Sequence, residues 1–426
     1  MDDKIYRAYV QILEDELVPA MGCTEPIAIA YASALAHELL GEFPQRMEVQ
    51  ASGNLIKNVK SVVVPNTGGM RGIEAAAAAG IIAGKSSKDL EVISEVTDEE
   101  KKQIAELVRN GDWAVLHLDS GLVFDLIVTF WGAGESYAKV RICHHHLNVV
   151  HKEKNGEVLF SDPEQIKEGI GEISAEKQML SIKGIVEFAE CVDVEDVAPM
   201  LERQAEYNMA ISEEGLRGDY GGNVGKVLLQ AYGNGIDIRC RAKAAAASDA
   251  RMGGCAMPVV INSGSGNQGI TVSVPVLEYA KELGASREKT LRALTISNLV
   301  AIHQKSGIGA LSAYCGAVSA GAAAGAGIAY LLGGGLREIE HTIVNCLAIT
   351  SGVVCDGAKA SCAGKVAIAL DAALLGYRMI TNEQQFRGGD GIVKKGVEET
   401  IGMVGRLGKD GMRETDKEIL SIMIGE

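Results

Sequence analysis

Aromatic residues are scarce in this chain, at 4% of 426 residues, and basic residues are outnumbered, with 41 Lys and Arg against 56 Asp and Glu. The net charge of −15 repels phosphate backbones and anionic bilayer surfaces, which argues against nucleic-acid and membrane partners. The stretch MDDKIYRAYVQILEDELVP carries acids throughout and no apolar core of the signal-peptide kind, so the expected compartment is the cytoplasm. No close CxxC pair marks a zinc knuckle or a ferredoxin. There is no GxxxxGK[ST] loop and no dinucleotide fingerprint with its following acid. Only Ile308–Leu336 is free of charge over a bilayer's length. It is mostly Ala and Gly, broken at Gly325, Gly327 and Gly333–Gly335, and reads as a buried helix rather than a membrane span.

What is present is glycine, at 51 residues well above the usual ~7%. A chain rich in Gly and Ala and poor in aromatics packs its helices closely and lets main-chain groups approach a ligand. Apolar residues at 47% supply a large core, and a charged fraction of 23% excludes global disorder. Nine cysteines occur, an odd number in a chain too long to need staples. Disulfides are therefore not expected, and each cysteine is a buried small residue, a ligand or a nucleophile.

The pattern along the chain is α+β. Residues 4–17 have helical spacing and end at Val18-Pro19; a second helix follows the loop 20–24, with Thr24 as N-cap, Pro26 in the first turn and Gly41 at its end. From 46 to 160 the segments RMEVQASG, KSVVVPN, DLEVISEV, AVLHLD, LVFDLIVTFW, YAKVRICHHHLNVVHKE and GEVLF read as strands, with helices at 72–84 and 98–110 between them. Beyond about 170 the chain reads as helices. The expected organisation is a large all-helical catalytic domain (1–44 and 165–426) with an inserted α+β, mixed-sheet domain (45–164).

Three groups of residues carry chemistry. Cys355-Asp-Gly-Ala-Lys-Ala-Ser-Cys362, with Cys315 upstream, places each thiol among small residues that leave room for an inorganic group between helices. Three buried thiols in a Gly/Ala core is the alternative. Three cysteines on a four-iron cluster would leave one iron open as a Lewis acid. Cys23, in MGCTEP, stands ahead of a helix N-terminus, where the macrodipole is expected to lower its pKa below ~8.5 and suit it as a base; a plain loop cysteine is the alternative. The turns Pro65-Asn-Thr-Gly-Gly-Met-Arg-Gly72 and Asn262-Ser-Gly-Ser-Gly-Asn-Gln-Gly269 offer N–H groups and small polar side chains to a carboxylate, or are ordinary turns. His144, His145 and His146 lie in a predicted strand, whose alternation would keep them from one metal. Cys143, Cys191, Cys240, Cys255 and Cys346 read as packing; Lys359, His303 and Lys305 are ambiguous.

In combination, MGCTEP (21–26), PNTGG (65–69), GSGNQG (264–269), AYCGA (313–317) and CDGAKASC (355–362) resemble the L-cysteine desulfidase family, related to the iron–sulfur L-serine dehydratases, nearly end to end. The resemblance implies a [4Fe-4S] cluster on Cys315, Cys355 and Cys362, with Cys23 as the catalytic base and no pyridoxal phosphate. It implies elimination of L-cysteine to sulfide, ammonia and pyruvate, or the equivalent L-serine ammonia-lyase reaction. Asn66, Thr67, Gly68, Ser265, Asn267 and Gln268 are then the candidates for holding the small amino-acid substrate, and a homodimer is compatible with the pattern. An electron-transfer or regulatory iron–sulfur protein, or a small-molecule binding protein, is the competing class.

Overall fold

The charge-free run becomes the buried axis of the helical part. In the computed structural model, which describes residues 1–166, 174–309 and 311–424, its helix spans Gly316–Leu331. It packs against helices Gly266–Glu282, Arg287–Ile308, Leu336–Thr350 and Cys362–Thr381. Small residues permit the approach: a Cβ at Gly321 would stand 2.7 Å from Ala369 Cβ, and one at Gly327 would stand 2.8 Å from the Ala293 carbonyl. Side chains are traded for backbone proximity, as the composition predicts. Among the described residues no helix is long and apolar enough to cross a membrane. Residues 167–173, at the expected start of the second helical part, and Ala310 lie outside the described residues.

The fold is α+β. The larger sheet has six strands: β2 Arg46–Ala51, β3 Asp112–His117, β4 Asp125–Trp131, β5 Tyr137–Cys143, β6 Val149–Lys154 and β7 Glu157–Ser161, in the order β3-β2-β4-β5-β6-β7. Only β2 and β3 run parallel, so the sheet is mixed. The helix Thr24–Leu40 packs on β4 and β5 and against the Ala-rich helix Ile73–Ala83. A Cβ at Gly80 would stand 2.2 Å from the Ala30 carbonyl, which ties these two helices at one point.

Several local expectations are corrected by long-range contacts. KSVVVPN is not a strand: the helix Gly53–Val59 runs into it and only an isolated Val63–Arg71 bridge forms. DLEVISEV forms the end of a 3-10 turn, Ser86–Glu91, and the turn over 92–95. The loop 20–24 contains β1, Pro19–Met21, which pairs antiparallel with β8, Pro258–Val260, in a region that reads as purely helical. The N-cap of Thr24–Leu40 is Cys23, not Thr24, whereas Gly41 ends it as expected in the left-handed conformation. The three histidines are not in a strand but in the turn between β5 and β6, with His144 at φ +66.

Candidate active site

The β1–β8 ladder delivers two motif turns to one place. β1 leads into Gly22-Cys23 and β8 into Asn262–Ser265, and Thr24 Oγ1 donates to the Gly264 carbonyl at 2.9 Å. Gly22 has φ +59, and a Cβ there would stand 2.1 Å from Pro65 Cγ. Only glycine fits, so the 65–69 turn is locked against the Cys23 loop.

The motif cysteines arrive at the same centre from other elements. A Tyr314–Val354 bridge, with the Cys315 N–H donating to Val353 O and the Cys355 N–H to Ala313 O, lays Cys315 beside Cys355. Cys315 is the N-cap of Gly316–Leu331 and Cys362 is the first residue of Cys362–Thr381. Cys23 and Cys362 share a small apolar cluster with Val62, Met252 and Ala358. Charge on Cys315 is felt from both Cys355 and Cys362. Three of the four thiols thus stand at helix N-termini, where negative charge is favoured. All nine cysteines are free. Cys143, Cys240, Cys255 and Cys346 are buried, while Cys191, expected to be packing, is exposed.

Burial dominates the electrostatics. It pushes the Cys315 thiol up to about 12, with Cys355 adding to the effect, and raises Cys362 as well. Cys23 corrects the expectation of a lowered pKa: its thiol lies well above the usual range, because burial and then Glu25 outweigh the opposing Arg251. Its Sγ donates to Glu25 Oε2 at 2.9 Å, and Asn58 Nδ2 donates to Glu25 Oε1 at 3.1 Å. Cys23 is therefore a thiol with a built-in proton acceptor rather than a free thiolate. Lys305 is also buried here, its ammonium lowered by desolvation while Cys355, Cys315 and Glu25 pull the other way.

The two glycine-rich turns differ. Asn66 Nδ2 donates to the carbonyls of Ile93 (2.9 Å) and Ser94 (3.2 Å), and Thr67 Oγ1 donates to Val64 O at 2.7 Å. Gly68 and Gly69 both have positive φ and open space before them. In the second turn Ser265 is the N-cap of Gly266–Glu282 without a side-chain cap bond. Asn267 Oδ1 and Gln268 Oε1 are buried with no partner. Gln268 lies over Gly316, where a Cβ would stand 2.8 Å from its Cδ, and so next to Cys315.

Four residues of this centre escape the sequence reading or remain undecided in it. Glu25 lies inside MGCTEP, and its spacing from Cys23 was a usable signal. Lys305 was visible but ambiguous. Arg251 carries no motif, and His146 is marked only as part of a histidine run set aside because a strand would turn its members to opposite faces. His146 stacks edge-on against Phe124 at 5.1 Å, stands 3.3 Å from where a Gly264 Cβ would be, and keeps Nε2 buried without a partner. His144 instead donates from Nε2 to Gln165 O at 2.7 Å, and His145 is exposed. His303 is bound to Glu398 at 2.7 Å and Lys359 to Asp356 at 2.7 Å. Among the described residues no group of three or more His, Cys, Asp or Glu is arranged to hold a metal ion. Two surface hollows, along Glu414–Ser421 and beside Asp3 and Asp196, share no residue with this centre.

Fold and site together define a helical protein with an inserted sheet and a buried multi-thiol centre. A family model described as serine dehydratase alpha chain matches residues 87–421, and the chain belongs to that family. It is similar over its whole length to UPF0597 proteins. That of Desulfitobacterium hafniense (strain Y51) is 57% identical over 424 residues, covering 100% of this chain and 98% of the relative. That of Lachnoclostridium phytofermentans is 51% identical over 420 residues, covering 99% and 100%. That of Treponema denticola is 46% identical over 429 residues, covering 100% and 99%. The family match contains Cys315, Cys355, Cys362 and the 262–269 turn, whereas Cys23 and the 65–69 turn precede it.

Proposed function

We propose that this chain is an iron–sulfur lyase that removes the β-substituent of a small amino acid, with L-cysteine preferred to L-serine. The observation that carries the reading is the meeting of Cys315, Cys355 and Cys362 beside a Cys23–Glu25 pair, in a member of the serine dehydratase alpha-chain family.

The residues fit a [4Fe-4S] cluster. Three free, soft thiols meet at one buried centre with Lys305 and Lys365 close enough to offset negative charge. Cys315, Cys355 and Cys362 would hold the cluster, and when bound it supplies a Lewis-acidic iron for the substrate's oxygen or sulfur.

The protein's own groups handle the proton. Cys23 Sγ passes its hydrogen to Glu25 Oε2 and takes the α-proton of the substrate; Asn58 keeps Glu25 in place. Burial excludes water from the exchange, which strengthens each electrostatic contact. Preference for a thiolate leaving group follows from its softness and leaving ability. The same reading places the chain in the cytoplasm, with no pyridoxal phosphate, and divides it into the helical part and the inserted sheet domain.

The test is pyruvate release from L-cysteine and L-serine by anaerobically purified, iron-loaded protein. The reading predicts higher kcat/KM for L-cysteine, and loss of turnover by roughly 10²–10⁴-fold in Cys23→Ala with iron content unchanged. Inert protein carrying four irons per chain would instead support a carrier or regulatory role.

A further inference from the structure

Arg251 lies at the end of helix Ile236–Met252 and is only 3% exposed. Its side chain lies over Gly266, where a Cβ would stand 2.3 Å from Nε and 2.7 Å from Cζ, so the second glycine-rich turn is shaped around the guanidinium. Nε is buried with no hydrogen-bond partner, and among the described residues the guanidinium makes no ion pair. A guanidinium cannot relieve this by losing a proton, and a buried charge left without a partner is strongly destabilising. The carboxylate of Glu25 does not serve it, being engaged with Cys23, Thr24 and Asn58.

Two acceptors in the same turn share this condition. Asn267 Oδ1 and Gln268 Oε1 are buried and unpartnered, with the Asn267 amide nitrogen 3.7 Å from Met252 Sδ, the residue next to Arg251. One buried cation and two buried carbonyl oxygens, none with a protein partner, are the complement of a zwitterion. A carboxylate satisfies the first and an ammonium the other two.

We infer that Arg251 is the carboxylate anchor of an α-amino-acid site, with Asn267 and Gln268 receiving the ammonium. The inference rests on the proposed amino-acid substrate and adds how it is recognised. The guanidinium takes over the role that composition assigns to the polar side chains of both turns. Asn66 is spent on the Ile93 and Ser94 carbonyls and Thr67 on that of Val64, and the turn amides are left to second place. The unpaired charge is then a stability cost held in reserve for the ligand.

The test uses isothermal calorimetry and thermal melting under anaerobic conditions with three inert probes: L-alanine, L-alaninamide and propionate. Unmodified protein is expected to bind L-alanine and to bind L-alaninamide and propionate at least 10-fold more weakly. Arg251→Met should weaken L-alanine binding more than 100-fold and yet raise the melting temperature of the ligand-free protein, a gain that a merely structural arginine would not show. L-alanine binding by Arg251→Met at the unmodified affinity would overturn the inference. So would L-alaninamide binding as tightly as L-alanine to the unmodified protein, a result available even if the variant does not fold. The lyase reading fails separately. L-alanine bound in the expected pattern, with neither L-cysteine nor L-serine yielding pyruvate, removes the lyase and keeps the anchor. Pyruvate formed by Arg251→Met with unchanged KM does the reverse.

Discussion

The turns at 65–69 and 262–269 both mix glycines with small polar side chains, and their hydrogen bonding is opposite. In the first, the side chains of Asn66 and Thr67 donate to the carbonyls of Ile93, Ser94 and Val64, and Pro65 wedges against Gly22. The turn is a brace that holds the Cys23 loop. In the second, Asn267 Oδ1 and Gln268 Oε1 are buried without partners beside Arg251 and Cys315. Native proteins rarely leave buried polar atoms unpaired, and the proposed substrate site in the second turn rests on that exception. Polar residues around glycines mark a place where backbone and ligand can meet, and only the hydrogen-bond inventory tells which turn has room.

The sharpest way to break the comparison is at glycine. A Cβ at Gly269 would stand 2.1 Å from the Val260 carbonyl and 2.9 Å from Ile261 backbone atoms, with no flexible side chain to yield. Gly269→Ala is expected to cost about 3–5 kcal/mol. Gly68 at φ +75 has open space around it, so Gly68→Ala carries only left-handed strain, about 1 kcal/mol. Urea midpoints of both variants measure this, and equal losses would remove the distinction between brace and packed ligand turn.

A second contrast lies within one helix. Asp249, two residues before Arg251, is a buried charge that has been given donors: the N–H groups of Gly222 and Gly225 reach its carboxylate. Burial still prevails over those bonds and raises its pKa to about 6. The folded state therefore binds a proton more tightly than the unfolded state, whose Asp titrates near ~3.9. Stability from this group is full below about pH 4, falls as pH rises towards 6 and is level above it, a loss of roughly 3 kcal/mol. Asp249→Asn should flatten that window. Urea titrations at pH 4 and pH 7 give the difference between variant and unmodified protein, and an unchanged difference would show that Asp249 does not titrate there.

The smallest effects separate the two asparagines. Asn66→Ala should destabilise by about 1–3 kcal/mol through its orphaned carbonyl partners and leave KM for L-cysteine alone. Asn267→Ala should leave stability within about 0.5 kcal/mol and raise KM at least 10-fold. Melting curves with steady-state kinetics on the two variants decide it, and the same response from both would mean that the turns do the same work.

Much of the helical part was legible. The helix from Thr24 to its Gly41 stop, the capped helix Asp98–Asn110 and the Gly/Ala axis Gly316–Leu331 follow from caps, periodicity and small-residue packing, all local properties. Strands β2, β3, β4 and β7 were visible in the sequence, including β7, whose residues are all exposed, whereas β5 and β6 read as one segment, 137–153, because nothing local marks the turn through the three histidines. KSVVVPN and DLEVISEV misled because β-branched residues also suit buried loops; Val62–Val64, Val92 and Ile93 are buried without a neighbouring strand to pair with. β1 and β8, three residues each, carry no periodic signal and exist only through each other.

The sequence by itself marked candidates for chemistry: three thiols in small-residue surroundings, a fourth ahead of a helix and two glycine-rich turns stand out by residue type and spacing. The tertiary structure alone decided what those groups are. Helix-end position argued for a thiolate at Cys23, but burial and the Glu25 carboxylate overrule the macrodipole, because desolvation acts on the whole charge and the dipole offers only a fraction of one. Arg251 carried no motif. A guanidinium becomes informative only when the fold buries it and supplies no counter-charge, and that depends on chain segments far from it in sequence.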